Sequence, residues 1–566
     1  MNLSIGRIIA ATVVMAGALM VTETRATAGG FAGSYLAAGQ ANYDNDYRSA
    51  ALYYARALAD DPQNAALMQN LLLAYLGEGQ MNKALAVANR MHAISADGQL
   101  AQLLLLVDDI QKGDFAAANT VYENGGEFSP LLDGLLRGWI YLGMGQMSDA
   151  TTQFDDMASS DTMKVFSDYH HALALASVGD FEGADRKLMG DTGKPIRIGR
   201  RSLVAHIEIL SQLERTDEAL AMAKSALGSS GDPEVTQIVA DLEAGRALPF
   251  SAVNNATDGS AEVFLTLATV LSGEENERFA LIYGRMAELL RPNSVDAILI
   301  VADLLKKQRQ YDLASINFNK VPQDSPVYYN AEIGRAEALI AGQKPDAGIE
   351  VLRSLAKSFP NIPSVFRSLG DSLRQQSRFA EARIAYNSAI ALLPEAQPQQ
   401  WFLYYARGIT RERAGEWDKA EEDFRFALKL SPDQPLVLNY LGYGLVEKRL
   451  KLDEAQKMIE IAVKRQPNDG YITDSLGWVL FQIGKYEDSV PQMERAVELL
   501  PVDPIINDHL GDAYWMVGRK LEAEFQWKRA LSFEPEKDDA ERIRRKLEVG
   551  LDQVRKFEAE TASSNE

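Results

Sequence analysis

The sequence predicts an all-α protein, a solenoid of short antiparallel helix pairs that repeat about every 34 residues. Three observations predict it: a periodic series of small residues, a glycine before each of them, and a proline after each of them. Two helices of about 13 residues with two short turns fill a repeat of this length. Because each pair buries its apolar face against the next pair, a long array shares one continuous core.

The period is plainest between residues 370 and 535, where five positions recur in five successive repeats. The glycines are Gly370, Gly408, Gly442, Gly477 and Gly511, and the small residues are Ala382, Ala420, Ala455, Ser489 and Ala523. Bulky residues follow at Tyr386, Phe424, Ile459, Met493 and Trp527, then alanines at Ala389, Ala427, Ala462, Ala496 and Ala530. Prolines close each repeat at Pro394, Pro432, Pro467, Pro501 and Pro535.

Each of these positions has a physical reason. Where the first helix of a pair (helix A) meets the second (helix B), only a small residue leaves room for the facing backbone, and the bulky residue fills the space beside it. Proline ends helix B, because it lacks an amide donor and its ring clashes with the preceding turn. The five positions resemble the consensus of the tetratricopeptide repeat (TPR), which implies a right-handed superhelix.

The same phase extends towards the N-terminus with a weaker consensus. Small residues mark eight C-terminal and six N-terminal repeats, the further ones being Ala280, Ala314 and Gly348, and Ala50, Ala84, Ala118, Ala150, Ala184 and Ala219. We therefore predict about fourteen repeats in two blocks, residues 29–228 and 261–536. Residues 229–260, rich in Gly, Ser and Asn, break the phase and are predicted to be an irregular junction with one short helix near 234–247.

The ends of the chain are predicted to differ from the repeats. Residues 1–28 have the pattern of a cleaved signal peptide: Arg7, an apolar run over residues 8–21, and the small-x-small site Ala26-Thr27-Ala28. That run is too short to cross a bilayer with a hydrocarbon core of about 30 Å. Residues 537–559 are predicted to form a capping helix with one apolar and one charged face, and residues 560–566 a disordered tail.

The composition argues against several classes of partner and of chemistry. The formal net charge of −21 argues against nucleic acid and against an anionic membrane surface as partners. The chain has no cysteine, which excludes thiolate chemistry and a lipid-modified N-terminal cysteine. We expect an exported, soluble periplasmic protein, with no transmembrane segment after signal cleavage. The oligomeric state is left open.

No motif predicts catalysis, a metal or a cofactor. The five histidines have no metal-site spacing, and the adjacent His170 and His171 are expected to be partly exposed. Gly190 to Lys194 only superficially resembles a phosphate loop, because the glycine spacing is wrong and a proline follows. The basic loop at 190–201 (Lys194, Arg197, Arg200, Arg201) favours local salt bridges over a docking site. We expect a protein that is not an enzyme.

The concave side of such an array is lined by the A helices, so the positions flanking each glycine predict a protein-binding groove. In the last three repeats these are Asn439, Tyr443, Val446, Asp474, Trp478, Phe481, Asp508, Asp512 and Trp515. Carboxylates interleaved with large aromatic side chains are a plausible peptide-binding surface. The alternative is that Trp478 and Trp515 pack between neighbouring repeats. The groove lacks the Lys and Asn pattern of TPR clamps that grip a C-terminal carboxylate.

Residues 360–540 show a closer resemblance, carried by Leu438-Asn-Tyr-Leu-Gly-Tyr443, Asp474-Ser-Leu-Gly-Trp478 and Asn507-Asp-His-Leu-Gly-Asp-Ala-Tyr-Trp515. They resemble large proteobacterial envelope TPR proteins, most of all the LbcA-type adaptors of C-terminal processing proteases. Those adaptors are lipoproteins, whereas this chain lacks the cysteine for an anchor. The resemblance implies a periplasmic scaffold that delivers substrates to a PDZ-containing processing protease. The alternative is a structural component of polysaccharide export or outer-membrane protein biogenesis.

Overall fold

The computed structural model describes residues 31–564, except 97, 191–194, 197, 228–232, 274–275 and 394. Over these residues the secondary structure consists of 31 α-helices and one short 3-10 helix, without a strand, which confirms the all-α prediction. The predicted signal peptide, Pro394 and the loop residues Lys194 and Arg197 lie outside the described residues.

The chain divides into two compact units, one ending at Pro360 and one beginning at Asn361. The helices of the first unit are α1 Phe31–Tyr43, α2 Tyr47–Asp60, α3 Ala65–Glu78, α4 Met81–Ala93, α5 Gln99–Gln111, α6 Phe115–Glu123, α7 Pro130–Gly143, α8 Met147–Ala158, α9 Asp161–Ser177, α10 Phe181–Met189, α11 Arg200–Gln212, α12 Thr216–Leu227, α13 Pro233–Glu243, α14 Ala256–Leu271, α15 Glu277–Leu290, α16 Val295–Lys307, α17 Tyr311–Phe318, α18 Tyr328–Ala341 and α19 Pro345–Ser358.

Those of the second unit are α20 Pro363–Gln375, α21 Phe379–Ala391, the 3-10 turn Pro398–Gln400, α22 Trp401–Arg413, α23 Trp417–Leu430, α24 Pro435–Glu447, α25 Leu452–Arg465, α26 Gly470–Gln482, α27 Tyr486–Leu499, α28 Pro504–Met516, α29 Lys520–Ser532, α30 Lys537–Val549 and α31 Leu551–Ser564.

The predicted helix pairs are present in both units. Every small residue that marks a repeat lies in the second helix of a pair, from Ala50 in α2 to Ala523 in α29. Within the described residues these pairs run from α1–α2 to α11–α12 and from α14–α15 to α28–α29, with α13 unpaired between the two series. The fold is that of a TPR α-solenoid, with fourteen such helix pairs among the described residues.

The contact between helix A and helix B is the one that the spacing predicts. A Cβ atom on any of the five consensus glycines would meet the bulky residue of its own repeat. The five pairs are Gly370 with Tyr386, Gly408 with Phe424, Gly442 with Ile459, Gly477 with Met493, and Gly511 with Trp527. All five bulky side chains are fully buried, so this contact is the repeated core element of the second unit.

The phase break and the boundary between compact units are at different places. Helix α13 lies where a short helix was predicted, but α14 begins at Ala256, inside the predicted junction. The chain divides after Pro360, because α14 and α15 pack back against the A helices α3, α5, α7 and α9 of the first repeats. The two sequence blocks are therefore not the two structural units.

Close contacts of single residues hold α14 and α15 against the first repeats. Gly259 on α14 lies directly against the indole of Trp139 on α7, where a Cβ would not fit. Arg285 on α15 is almost fully buried and donates to the carbonyl oxygen of Gly77 at the end of α3 (3.2 Å). These helices pack on the A-helix face of the second to fifth repeats.

The C-terminal end differs from the predicted cap and tail. The single helix predicted for residues 537–559 is two helices, α30 and α31, separated by Gly550 with a φ of 82°. Residues 560–564 belong to α31 and not to a disordered tail. Lys546, predicted for the charged face, is 1% exposed and lies on the buried face with Ile543. The predicted polar lid is present, but it is a helical hairpin with a buried cation.

The adjacent histidines are also placed differently from the expectation. His170 and His171 are both buried in α9, because helices pack on both sides of it. His170 Nδ1 accepts a hydrogen bond from Trp139 Nε1 (3.1 Å). Burial lowers the pKa of His170 to about 3, so this ring is neutral at ordinary pH.

Candidate protein-binding groove

Helices α24, α26 and α28 carry the predicted groove residues, and local sequence sets where two of them begin. The side chain of Asp469 accepts from the amide of Ile472 at the start of α26 (3.0 Å). Asp503 accepts from Ile506 at the start of α28 (3.0 Å), with Pro504 at the first helical position. These hydrogen bonds fix the residue at which α26 and α28 begin. Within each helix, residues four apart lie on one face.

Asp508 and Asp512, one turn apart on α28, bind the same cation. Lys546 Nζ on α30 lies 2.7 Å from Asp508 Oδ2 and 2.6 Å from Asp512 Oδ1. The Arg542 guanidinium lies 3.7 Å from each of the two carboxylates. Burial raises the pKa of Asp508, although Lys546 acts in the opposite direction. The two predicted groove acids are therefore partners of the chain's own C-terminal hairpin.

Asp474 on α26 pairs with a histidine of the next A helix. His509 Nδ1 lies 3.0 Å from Asp474 Oδ2, and the pair is buried. Trp478 stacks on the His509 ring with centroids 4.0 Å apart, and its Nε1 donates to Glu447 (2.9 Å). Burial acts to lower the pKa of His509, but Asp474, Asp508 and Asp512 outweigh it and leave that pKa raised.

The aromatic residues at the end of α26 and α28 pack in the same region. Phe481 stacks in parallel on Trp478 (5.1 Å), and the guanidinium of Arg555 from α31 lies 5.5 Å from the Phe481 ring centre. Trp515 Nε1 donates to Asp552 of α31 (2.9 Å). Side chains of α31 thus contact Phe481 and Trp515.

Asn439 and Tyr443 on α24 remain partly exposed, as does Trp515 on α28. Burial raises the pKa of Tyr443, and the carboxylates of Glu447, Asp474 and Asp539 add to the effect. The side-chain oxygen of Asn439 is buried and has no hydrogen-bond partner among the described residues.

The structure thus brings the predicted residues together but covers most of them. Trp478 is 8% exposed and Phe481 2%, so the packing alternative is the one observed for Trp478. Sequence reasoning missed the residues that cover them: Arg542, Lys546, Asp552 and Arg555. The sequence contained one indication of this contact. Lys546 follows Ile543 by three residues, so it lies on the same helical face as that apolar residue.

The basic loop of the first unit forms the expected salt bridges in its described part. Arg200 lies 2.5 Å from Glu234, and Arg201 binds both carboxylate oxygens of the buried Glu262 (3.0 Å from Nε). Arg201 also pairs with Asp296. An open cleft of about 540 Å³ adjoins this network, with Leu265, Leu299 and Ile300 in its lining.

The described residues hold no group of three or more His, Cys, Asp or Glu side chains placed to bind a metal ion. None of the described helices combines the length and the apolar character that a bilayer crossing requires.

Comparison with known proteins supports the repeat assignment. A tetratricopeptide repeat family model matches residues 333–399, 447–504 and 475–535. The TPR repeat-containing protein PA4667 of Pseudomonas aeruginosa is 35% identical over 92 residues, 16% of each chain. Tetratricopeptide repeat protein 13 of Homo sapiens is 28% identical over 181 residues, 31% of this chain and 20% of that protein. The matches thus span a fifth or less of these relatives.

Solved structures with similarity include the APC/C hetero-tetramer Cut9–Hcn1, at 15% identity, with 92% of this chain and 96% of that chain covered and a TM-score of 0.38. A tetratricopeptide repeat protein from Parabacteroides merdae shares 15% identity over 45% of this chain and 97% of its own, with a TM-score of 0.36. The matched segments of this chain are tetratricopeptide repeats, and such repeats form protein-interaction scaffolds.

Proposed function

We propose that this chain is an exported, non-catalytic adaptor that binds other proteins and delivers substrates to a carboxyl-terminal processing protease in the periplasm. The observation that carries the proposal is the A-helix face of α24, α26 and α28, on which Asn439, Tyr443 and Trp515 remain partly exposed. This face lies within and beside the segments matched by the repeat family model. The resemblance of residues 360–540 to LbcA-type adaptors supports the choice of protease.

Export rests on the signal-peptide pattern of residues 1–28. Expressed in a Gram-negative host, the chain should be recovered from the periplasm with Gly29 as its first residue, as read by N-terminal sequencing. Ala28→Arg removes the small residue that the peptidase needs, and this variant should keep the longer N-terminus. Recovery of an unprocessed wild-type chain from the cytoplasm would contradict export.

The adaptor role is tested by affinity capture from envelope extracts followed by mass spectrometry. The full chain should capture a PDZ-containing serine protease and should raise its rate on a protein substrate, while showing no hydrolase activity alone. Capture of an export porin or an outer-membrane assembly complex without a protease would identify the alternative, a structural component of an envelope assembly.

The surface is tested with Tyr443→Ala, which removes a partly exposed aromatic side chain from the predicted groove. Loss of such an anchor costs about 2 kcal/mol or more, so capture should weaken at least about 30-fold. Phe525→Ala is the matched control, because Phe525 is 71% exposed on the B helix α29. Equal effects of both substitutions on the measured affinity would exclude this groove.

A further inference from the structure

Helix α31 departs from the repeat pattern. Helix α30 follows α29 as the first helix of a further repeat would, and α31 folds back along α30, with Arg542 bound to Glu558 (2.7 Å). Its side chains reach the A helices α26 and α28: Arg555 lies 4.0 Å from the sulfur of Met516 and over Phe481. The hairpin α30–α31 therefore covers a surface on α26 and α28, here called the terminal surface: Phe481, Asp508, Asp512 and Trp515.

The turn of the hairpin is shaped by this surface. Gly550 has a φ of 82°, and a Cβ there would lie 2.6 Å from the Trp515 indole. A residue with a side chain would be strained at this φ and would also push the hairpin off Trp515. The turn is therefore built to lie on the aromatic part of the terminal surface.

Ion pairs attach α30, the first helix of the hairpin, to α28. Arg542 and Lys546 are one turn apart on α30, as Asp508 and Asp512 are on α28, so the two helices present matching pairs of opposite charge. The Lys546 side chain is fully buried in this contact. A helix with two basic side chains at positions i and i+4 is thus the ligand that the terminal surface holds.

Few buried apolar side chains hold the hairpin in place. Among the described side chains of the hairpin, only Ala540, Ile543, Leu551 and Val554 are buried apolar residues. Helix α28 alone has as many, Ile506, Leu510, Ala513 and Tyr514. Elements with few buried apolar contacts open first in native-state fluctuations. The hairpin has half as many buried apolar residues per helix as α28, so we expect it to detach more readily than α28.

We propose that the hairpin α30–α31 is a resident, displaceable ligand of the terminal surface, and that a partner protein replaces it with an amphipathic helix carrying lysine or arginine at positions i and i+4 beside an aliphatic stripe. The hairpin then regulates access to the groove. This inference rests on the proposed function only in that the partner is a protein.

The test uses a labelled synthetic peptide of residues 537–558 and fluorescence anisotropy with the full chain. Ile543→Asp removes an apolar anchor of the hairpin but leaves the terminal surface intact, so this variant should bind the peptide at least about ten-fold more tightly than the wild type. Val549→Asp makes the same charge change at a residue that is 47% exposed on the same helix, and it should bind like the wild type.

Two further measurements complete the test. Affinity of Ile543→Asp for the peptide should fall as salt rises from about 0.1 to about 1 M, and a peptide with glutamate at positions 542 and 546 should not bind. In the wild type, amide hydrogens of α30 and α31 should exchange at least about 100-fold faster than those of α28.

Three results would overturn the proposal: equal peptide affinity of Ile543→Asp and Val549→Asp, exchange in the hairpin as slow as in α28, or loss of the whole unit's helical signal in Ile543→Asp. The last result would make the hairpin an integral cap. None of these measurements involves a protease, so their failure leaves the adaptor proposal standing, and failure of the protease capture leaves this one standing.

Discussion

At the scale of single residues, the glycine of each repeat is required because the bulky residue of the same repeat occupies the space that a Cβ atom would need. The indole of Trp527 is fully buried against Gly511, and the carbonyl oxygen of Ala523 lies 3.2 Å from where a Cβ would be. A fully buried ring has no free space to move into. The contact is therefore one of close approach, and not one of backbone flexibility.

Gly511→Ala should accordingly destabilise the second unit by about 1–3 kcal/mol through overpacking. Gly39→Ala is the matched control, because Gly39 is also helical but a Cβ there would meet no described atom within 4 Å. That control should be neutral or stabilising by about 0.5–1 kcal/mol. Urea unfolding measures both, and an equal effect of the two changes would contradict the packing argument.

The raised pKa of His509 predicts a pH dependence. Because the folded state favours the charged ring, its contribution to stability is complete below the unfolded pKa of about 6.5 and is lost as pH rises through the folded pKa. The difference in Tm between wild type and His509→Gln should therefore be larger at about pH 6 than at about pH 9. A difference that is constant or grows with pH would show that the Asp474 pair does not depend on the charge of His509.

At the scale of elements, α14 and α15 are held against the N-terminal repeats by buried polar contacts as well as by apolar packing. Arg285 binds Glu288 (2.8 Å), Asn317 (3.3 Å) and the carbonyl oxygen of Gly77. Tyr47 on α2 donates to Gln308 (2.5 Å). The contacts of Arg285 with Gly77 and of Tyr47 with Gln308 join residues more than 200 positions apart in the chain.

Arg285→Ala should cost the first unit about 3–5 kcal/mol, because it leaves buried partners without their cation. Arg48→Ala is the matched control: the Arg48 side chain is 73% exposed and pairs with Glu78 at 3.5 Å. An exposed pair contributes about 0–1 kcal/mol. Chemical denaturation compares the two, and similar losses would mean that α15 is not anchored through Arg285.

At the scale of the whole molecule, the division after Pro360 predicts which fragments fold. Residues 361–566 contain their own buried core and should give a helical, cooperatively melting fragment. Residues 31–230 lack α14 and α15, which share one apolar core with α2 to α9. That fragment should lose its cooperative transition. Circular dichroism measures both, and cooperative melting of residues 31–230 would show that the sequence blocks are the true folding units.

The sequence by itself determined the repeats, because the contact between each glycine and its bulky partner is made within about 16 residues and recurs with a fixed period. It also determined which residues of α24, α26 and α28 share one helical face, since helical phase follows from spacing. Only the tertiary structure decided that α14 and α15 fill the face of the first repeats, and that Lys546 and its hairpin cover Asp508 and Asp512. Those contacts join residues that no local period relates, and their burial depends on which distant helix arrives at the surface.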